Sequence, residues 1–432
     1  MISERMQIAR LYHRFSFGPR PGEFARALKQ GLAATSVELL TVPINDEGLK
    51  SVVSPTLTDL GPFPPVNTVA RKTFDDEMRR GRRDLTLWWL DRMVLSSHGL
   101  TERMTWFWHG HWATSIGKVE YALPMYLQNQ TLRKNALGNF ADQARNMILD
   151  GALQYWLDNG GNTISAPNEN LAREFMELFT LGVDQYSEQD VKQVARALTG
   201  YAVSRSSGNV TLNLKKHDAS SLTILGKSSS FTAEDVSNHL VAQTQAARFI
   251  AERVWFRFIS DTAPLTSDNS LIHAFADRNI STLIKTAGTS AAMADPQNSL
   301  VKSPVEWFAA VCRALKVIPS KVSKPDYIIN FLDKLGQIPF LPPNVGGWPT
   351  GEAWLTAAAA QYRLQIAQYL LTQGDVSPLT NTPSGNRYFM IGDLLGIPTW
   401  SVRTARALRN VQGDPTRMFL LAVSSPEYIV SV

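Results

Sequence analysis

The chain has 432 residues, 44% of them hydrophobic, which is enough to bury a sizeable core and excludes a disordered chain. Its 43 Lys and Arg against 38 Asp and Glu leave a formal charge of only +5, too mild at this size to point to nucleic acid. A single cysteine, Cys312, excludes an intrachain disulfide framework, a multi-cysteine zinc site and a cysteine-held iron–sulfur cluster.

In chain order, MISERMQIARLYHRF has no apolar stretch of the signal-peptide kind, and no segment approaches a membrane span. The chain as written therefore reads as cytoplasmic, and as exported if a leader has been removed. Arg71, Lys72, Arg79, Arg80, Arg82 and Arg83 alternate with Asp75, Asp76, Glu77 and Asp84, the pattern of a solvated helix face with internal ion pairs. DLTLWWLDRMVLSS follows with an apolar face at helical spacing, and Thr101 reads as the N-cap of the next helix.

That helix runs into TWFWHGHWATS. On an unbroken helix His109 and His111 would lie about 200° apart and could not share a site. Gly110 offers an exit into extended backbone, where residues two apart point the same way. The alternatives are thus a metal-ligand pair kept neutral by tryptophan walls and a pair of core histidines.

APNENLAREFMELFTLGV predicts a helix capped by Asn168 and ended by Gly182, with Asn170, Arg173, Glu174, Glu177 and Thr180 on one narrow polar stripe. Two carboxylates one turn apart suit metal ligation or acid–base work, and Arg173 would hold Glu177 ionised at the i,i+4 spacing. In SEQDVKQVARALTG, Ser187 and Asp190 form a capping signal and Gly200 stops the helix. Residues 201–231 break the pattern: alternation in VTLNL and the β-prone SLTIL predict a small hairpin or three-stranded flap. His217 and Asp218 sit at its lip. AARFIAERVWFRF and VEWFAAVCRAL read as helices, and Cys312 in the second reads as a small core residue. Residues 339–353 are too rich in Pro and Gly for a regular element and form a long loop bearing Trp348. Histidines 13, 98, 239 and 273 show no ligand spacing. No H-E-x-x-H, G-x-S-x-G, P-loop or dinucleotide fingerprint occurs.

Taken together, W-H-G-H-W-A-T, N-E-N-L-A-R-E-F-M-E-L-F-T-L-G-V, Y-S-E-Q-D-V-K-Q-V-A-R-A-L-T-G and H-D, with HRFSFGPRPGEFARAL, KSPVEW and LGQIPFLPPNVGGWPTGEAWL at the ends, resemble the successive motifs of the bacterial domain-of-unknown-function 1800 family. The likeness runs from about residue 8 to 370. It marks His109, His111, Asn168, Asn170, Arg173, Glu174, Glu177, His217 and Asp218 as the polar residues of the signature motifs and brings no assigned activity. Tyr201 stands where the resemblance implies tryptophan.

The expectation is one mainly α domain over residues 1–432 with a small β insert at 201–231. Its cleft would hold a divalent metal (Zn, Fe or Mn) on His109, His111 and Glu177. Arg173, Glu174, His217 and Asp218 would be the catalytic groups, flanked by Asn168, Asn170, Tyr201 and Trp348. Metal-dependent hydrolysis of an unidentified substrate is favoured over oxidative chemistry. The alternatives are a metal-free enzyme acting on carbohydrate, whose glutamates would need Asp218 as a third carboxylate, and a non-catalytic binding or assembly module. Neither nucleic acid nor membrane is an expected partner.

Overall fold

A computed structural model describes residues 2–265 and 270–431. The described residues are mainly helical, with three two-stranded antiparallel sheets among them. Two of these, as separate hairpins, form the expected small β insert of residues 201–231. β1 (Tyr201–Val203) pairs with β2 (Val210–Leu212), and β3 (Leu222–Ile224) pairs with β4 (Lys227–Ser229). The turn residues Ser206 to Asn209 close the first hairpin as their composition predicts. The third sheet joins distant parts of the chain: β5 (Leu300–Val301) pairs with β6 (Val430–Ser431), Leu300 opposite Ser431.

Helix signals in the sequence are realised locally. Ser187 and Asp190 form a capping box on the helix Glu188–Ala197. The basic run lies on the long helix Val69–Leu95 and is neutralised in place by Arg71–Asp75, Arg79–Asp76 and Arg83–Asp84 pairs, with Arg83 also reaching Asp326. Cys312 is fully buried. Thr101, in contrast, is not a cap: the helix Leu100–His111 starts after Gly99, whose positive φ of 80° replaces side-chain capping.

This aromatic helix is the seam of the molecule. Met104, Phe107 and Trp108 enter one large hydrophobic cluster, built with the N-terminal helix Glu4–Phe15 and the helix Thr244–Phe258. Trp106 enters a second cluster, built on the helix Pro304–Leu315 and the C-terminal helices. A helix with apolar residues all round its circumference must be packed on several sides. No helix among the described residues is long and apolar enough to cross a membrane.

Candidate functional site

The structure settles the fork at Gly110. The chain stays helical through His111, so the two imidazoles leave opposite faces. His109 packs against Trp89, Trp106, Phe340 and Trp348, and its Nε2 accepts the Phe340 backbone N–H at 3.1 Å. His111 packs against Trp108, Trp112 and Phe140, and its Nε2 donates to the Phe179 carbonyl at 3.0 Å. The two rings are thus neutral and of opposite tautomer. Burial drives both pKa values down to about 3, with Arg253 adding to the effect at His111. The pair expected on one metal is divided between two hydrophobic clusters.

Gly110 has a different task from the one its type suggests. Gly347 lies against it so closely that a Cβ there would stand 2.6 Å from the Gly110 carbonyl oxygen. Trp106 and Trp348 stack with ring centroids 5.0 Å apart beside this contact. The H-G-H and N-V-G-G-W motifs therefore interlock backbone to backbone, which demands small residues on the loop side.

The polar stripe of residues 168–180 is also rearranged. The α-helix Asn170–Glu174 passes directly into a π segment, Phe175–Thr180, in which the Leu181 N–H reaches back to the Met176 carbonyl at 2.8 Å. Asn168 does not cap it directly. Its Oδ1 accepts the Asn170 N–H at 2.9 Å while its own N–H is held by Asn162, and Glu169 takes the cap position. Arg173 does not reach Glu177; it bonds Glu188 through two nitrogens at 2.7 and 2.8 Å and Glu169 at 3.1 Å. A fork-to-fork pair with Glu188 is the better geometry for a guanidinium. Glu177 instead accepts the Tyr186 hydroxyl at 2.6 Å, and Thr180 turns inward to the Phe175 carbonyl. Glu174 is held above the usual carboxylate range by burial and by neighbouring Glu177.

His217 and Asp218 are bound into the fold. His217 Nδ1 donates to the Thr199 carbonyl at 2.9 Å, and Asp218 is paired with Arg196 at 2.7 Å and with Ser220. Those bonds hold Asp218 below its ordinary pKa against the cost of burial. The Tyr201 hydroxyl accepts the Ala233 N–H that opens the next helix, a bond no tryptophan could supply. The tryptophans offer few faces to a sugar, since nine of the eleven are buried. Among the described residues no three His, Cys, Asp or Glu side chains are gathered closely enough to hold a metal ion.

A charged cleft lies where sequence reasoning did not look, on the Arg257 side of Gly110. Two small adjoining cavities, of about 30 and 20 Å³, share Arg103, Arg257 and Glu306 as their common wall. The first adds Arg14, Lys302 and Asp261, the second Trp106, Gln337 and Trp348. Each cation but one is fixed by a partner. Arg103 is ion-paired with Glu306 and donates to the Arg14 carbonyl at 2.9 Å. Arg14 spends its donors on the carbonyls of Ile259, Asn298 and Ser431. Lys302 Nζ donates to the Tyr428 carbonyl and lies 4.5 Å from that ring's centroid.

Arg257 is the exception. Among the described residues it has no hydrogen-bonded acceptor and no ion pair within reach. Burial pushes its pKa down to about 10, opposed by Glu306 from a distance. One turn earlier Arg253 is likewise without an acceptor, its guanidinium 6.0 Å from the Phe249 ring centroid. The sequence carried a faint signal for both: two arginines at i,i+4 spacing inside the apolar stretch AARFIAERVWFRF. The Lys302 and Glu306 positions lie in KSPVEW, where Ser303 and Glu306 form a capping box.

A family profile described as "Protein of unknown function (DUF1800)" matches residues 10–430. No curated protein and no solved structure matches the chain.

Proposed function

The chain belongs to the DUF1800 family, and from that footing we propose that its ligand site is the Arg103–Arg257–Glu306 cleft, which receives the anionic group of a small molecule: a phosphate, sulfate or carboxylate. The observation that carries this reading is Arg257, a half-buried guanidinium that lines both cavities and has no hydrogen-bonded acceptor among the described residues. Its donors are free to hold a planar oxyanion, the partner whose geometry a guanidinium matches best. Three guanidiniums on the cleft, Arg14, Arg103 and Arg257, face two carboxylates, Asp261 and Glu306, so the imbalance favours an anion. The cavity beside Arg257 and Lys302, about 30 Å³, has room for roughly two waters by the ~10–15 Å³ each needs. An entering oxyanion would displace them and bond to Arg257.

This reading replaces metal-dependent hydrolysis on His109, His111 and Glu177 as the leading one, because the donors of that set are turned apart and each is engaged elsewhere. It is tested by thermal unfolding with phosphate, sulfate, acetate or succinate titrated in. The expected result is a saturable rise in Tm for at least one anion, since a ligand at a hundred times its Kd adds about 2.7 kcal/mol. Arg257→Met, which keeps the packing volume, abolishes that rise while leaving the unliganded protein as stable as before or more so. A rise that survives in Arg257→Met overturns the assignment, as does a wild-type Tm indifferent to all four anions.

A further inference from the structure

Lys302 has been given no chemical role so far. It follows β5, precedes the N-cap of the helix Pro304–Leu315, and is 5% exposed on the wall of the charged cleft. Its environment on every side is fixed. Tyr428 supplies both the carbonyl that takes one Nζ hydrogen and the ring beneath the amine. Arg14 on the N-terminal helix and Arg363 on the helix Ala357–Gln373 crowd it with positive charge, and Glu306 alone draws it the other way. His13, also on this wall, is neutral: its Nε2–H is shared between the Leu395 and Gly396 carbonyls and burial holds its pKa far down.

We propose that Lys302 is the nucleophile of this cleft and forms an imine with the aldehyde or ketone of a small acid whose anionic group sits on Arg257. The inference rests on the anion reading above and names the substrate class for it: a 2-oxo acid or an aldehyde-bearing acid or phosphate. Three observations carry it. Lys302 and Arg257, which has no acceptor of its own, line the same small cavity. The Tyr428 carbonyl takes a single hydrogen and leaves the nitrogen lone pair free once the amine is neutral. Burial, backed by the neighbouring guanidiniums, brings the Lys302 pKa down to about 7, so neutral amine is abundant at neutrality.

The step balances without an oxidant or reductant. The nitrogen pair attacks the carbonyl carbon, the carbonyl π bond becomes an alkoxide, and the alkoxide takes a proton as the nitrogen loses one. The nitrogen then gives up its second hydrogen, the resulting hydroxyl takes it and leaves as water, and a C=N bond forms. Glu306, kept ionised by Arg103 and the Ser303 N–H, lines the same cavity and is the base assigned to accept the ammonium proton.

The experiment uses the wild-type protein, so it does not depend on a variant folding. It is incubated at pH 7 with glyoxylate or with propanal, treated with borohydride, digested and mapped by mass. With glyoxylate, Lys302 is expected to carry the adduct far ahead of exposed lysines, whose neutral fraction at pH 7 is smaller by on the order of 10³-fold. Propanal, which lacks the acid, labels it at least tenfold less. Arg257→Met lowers glyoxylate labelling of Lys302 to the propanal level. Labelling spread evenly over surface lysines, with none at Lys302, overturns the nucleophile even if anions still raise Tm. Equal labelling of Lys302 by both aldehydes keeps the nucleophile and removes the anion site.

Discussion

At the scale of single residues, the motif histidines are the clearest case of chemistry suppressed by environment. The exclusion of water that makes a good ligand of an imidazole also makes it a good core residue, and the accepted Phe340 N–H and donated Phe179 carbonyl bond decide in favour of the core. A pH dependence follows with a definite sign. Both rings have a folded pKa near 3 against about 6.5 when unfolded, so the unfolded chain binds protons the native one refuses. Their contribution is complete above about pH 6.5 and is lost as pH falls toward 3, at about 1.4 kcal/mol per pH unit and ring once below that upper value. Asp150, a buried carboxyl raised to about 6, works in the opposite direction, so a comparison of variants is needed. Urea denaturation at pH 7 and pH 5 should show the wild type losing more stability than His109→Gln, by roughly one ring's share. Identical losses would mean that His109 is not held neutral by the fold.

At the scale of elements, the sequence was most legible where one residue type decides a local geometry. The capping box at Ser187, the turn before β2 and the buried periodicity of VEWFAAVCRAL all formed where their spacing predicts. It was least legible where an element's geometry is chosen by a neighbour distant in sequence. Gly110 reads locally as a helix exit, yet it remains helical because Gly347, 237 positions later, packs on its carbonyl. The stripe around Glu177 reads as one α-helix, yet the π segment and the competing Glu188 redirect its side chains. The interlock makes a sharp prediction. Gly347→Ala combines a positive φ of 85° with a Cβ 2.6 Å from backbone oxygen, and should cost about 2–5 kcal/mol, summing roughly 1–2 for the left-handed conformation and 1–3 for overpacking. Gly413→Ala, where no atom lies within 4 Å of the new Cβ, should change stability by less than about 0.5 kcal/mol in the same urea titration. Equal effects would show that the close approach to Gly110 is not maintained.

At the scale of the whole molecule, the charged cleft collects what the sequence keeps furthest apart. Arg14 comes from the first helix, Arg103 from the aromatic helix, Arg257 from the middle, Lys302 and Glu306 from the start of a later helix, and Ser431 from the end of β6. No spacing rule links residues separated by such distances, which is why the cleft could not be read from motifs while the helical class could. Because the aromatic helix serves both hydrophobic clusters, neither can lose it without exposing the other. Calorimetry should therefore give one transition in which the calorimetric and van't Hoff enthalpies agree. Two resolved peaks would show that the clusters melt as separate bodies.

The Arg14 bond to the Ser431 carbonyl, 3.0 Å long, also has a practical side. It fastens β6 to the wall where an incoming acid would pass. A bulky label attached to that strand would crowd the doorway, and a weak signal from such material would report on the labelling chemistry before it reported on affinity.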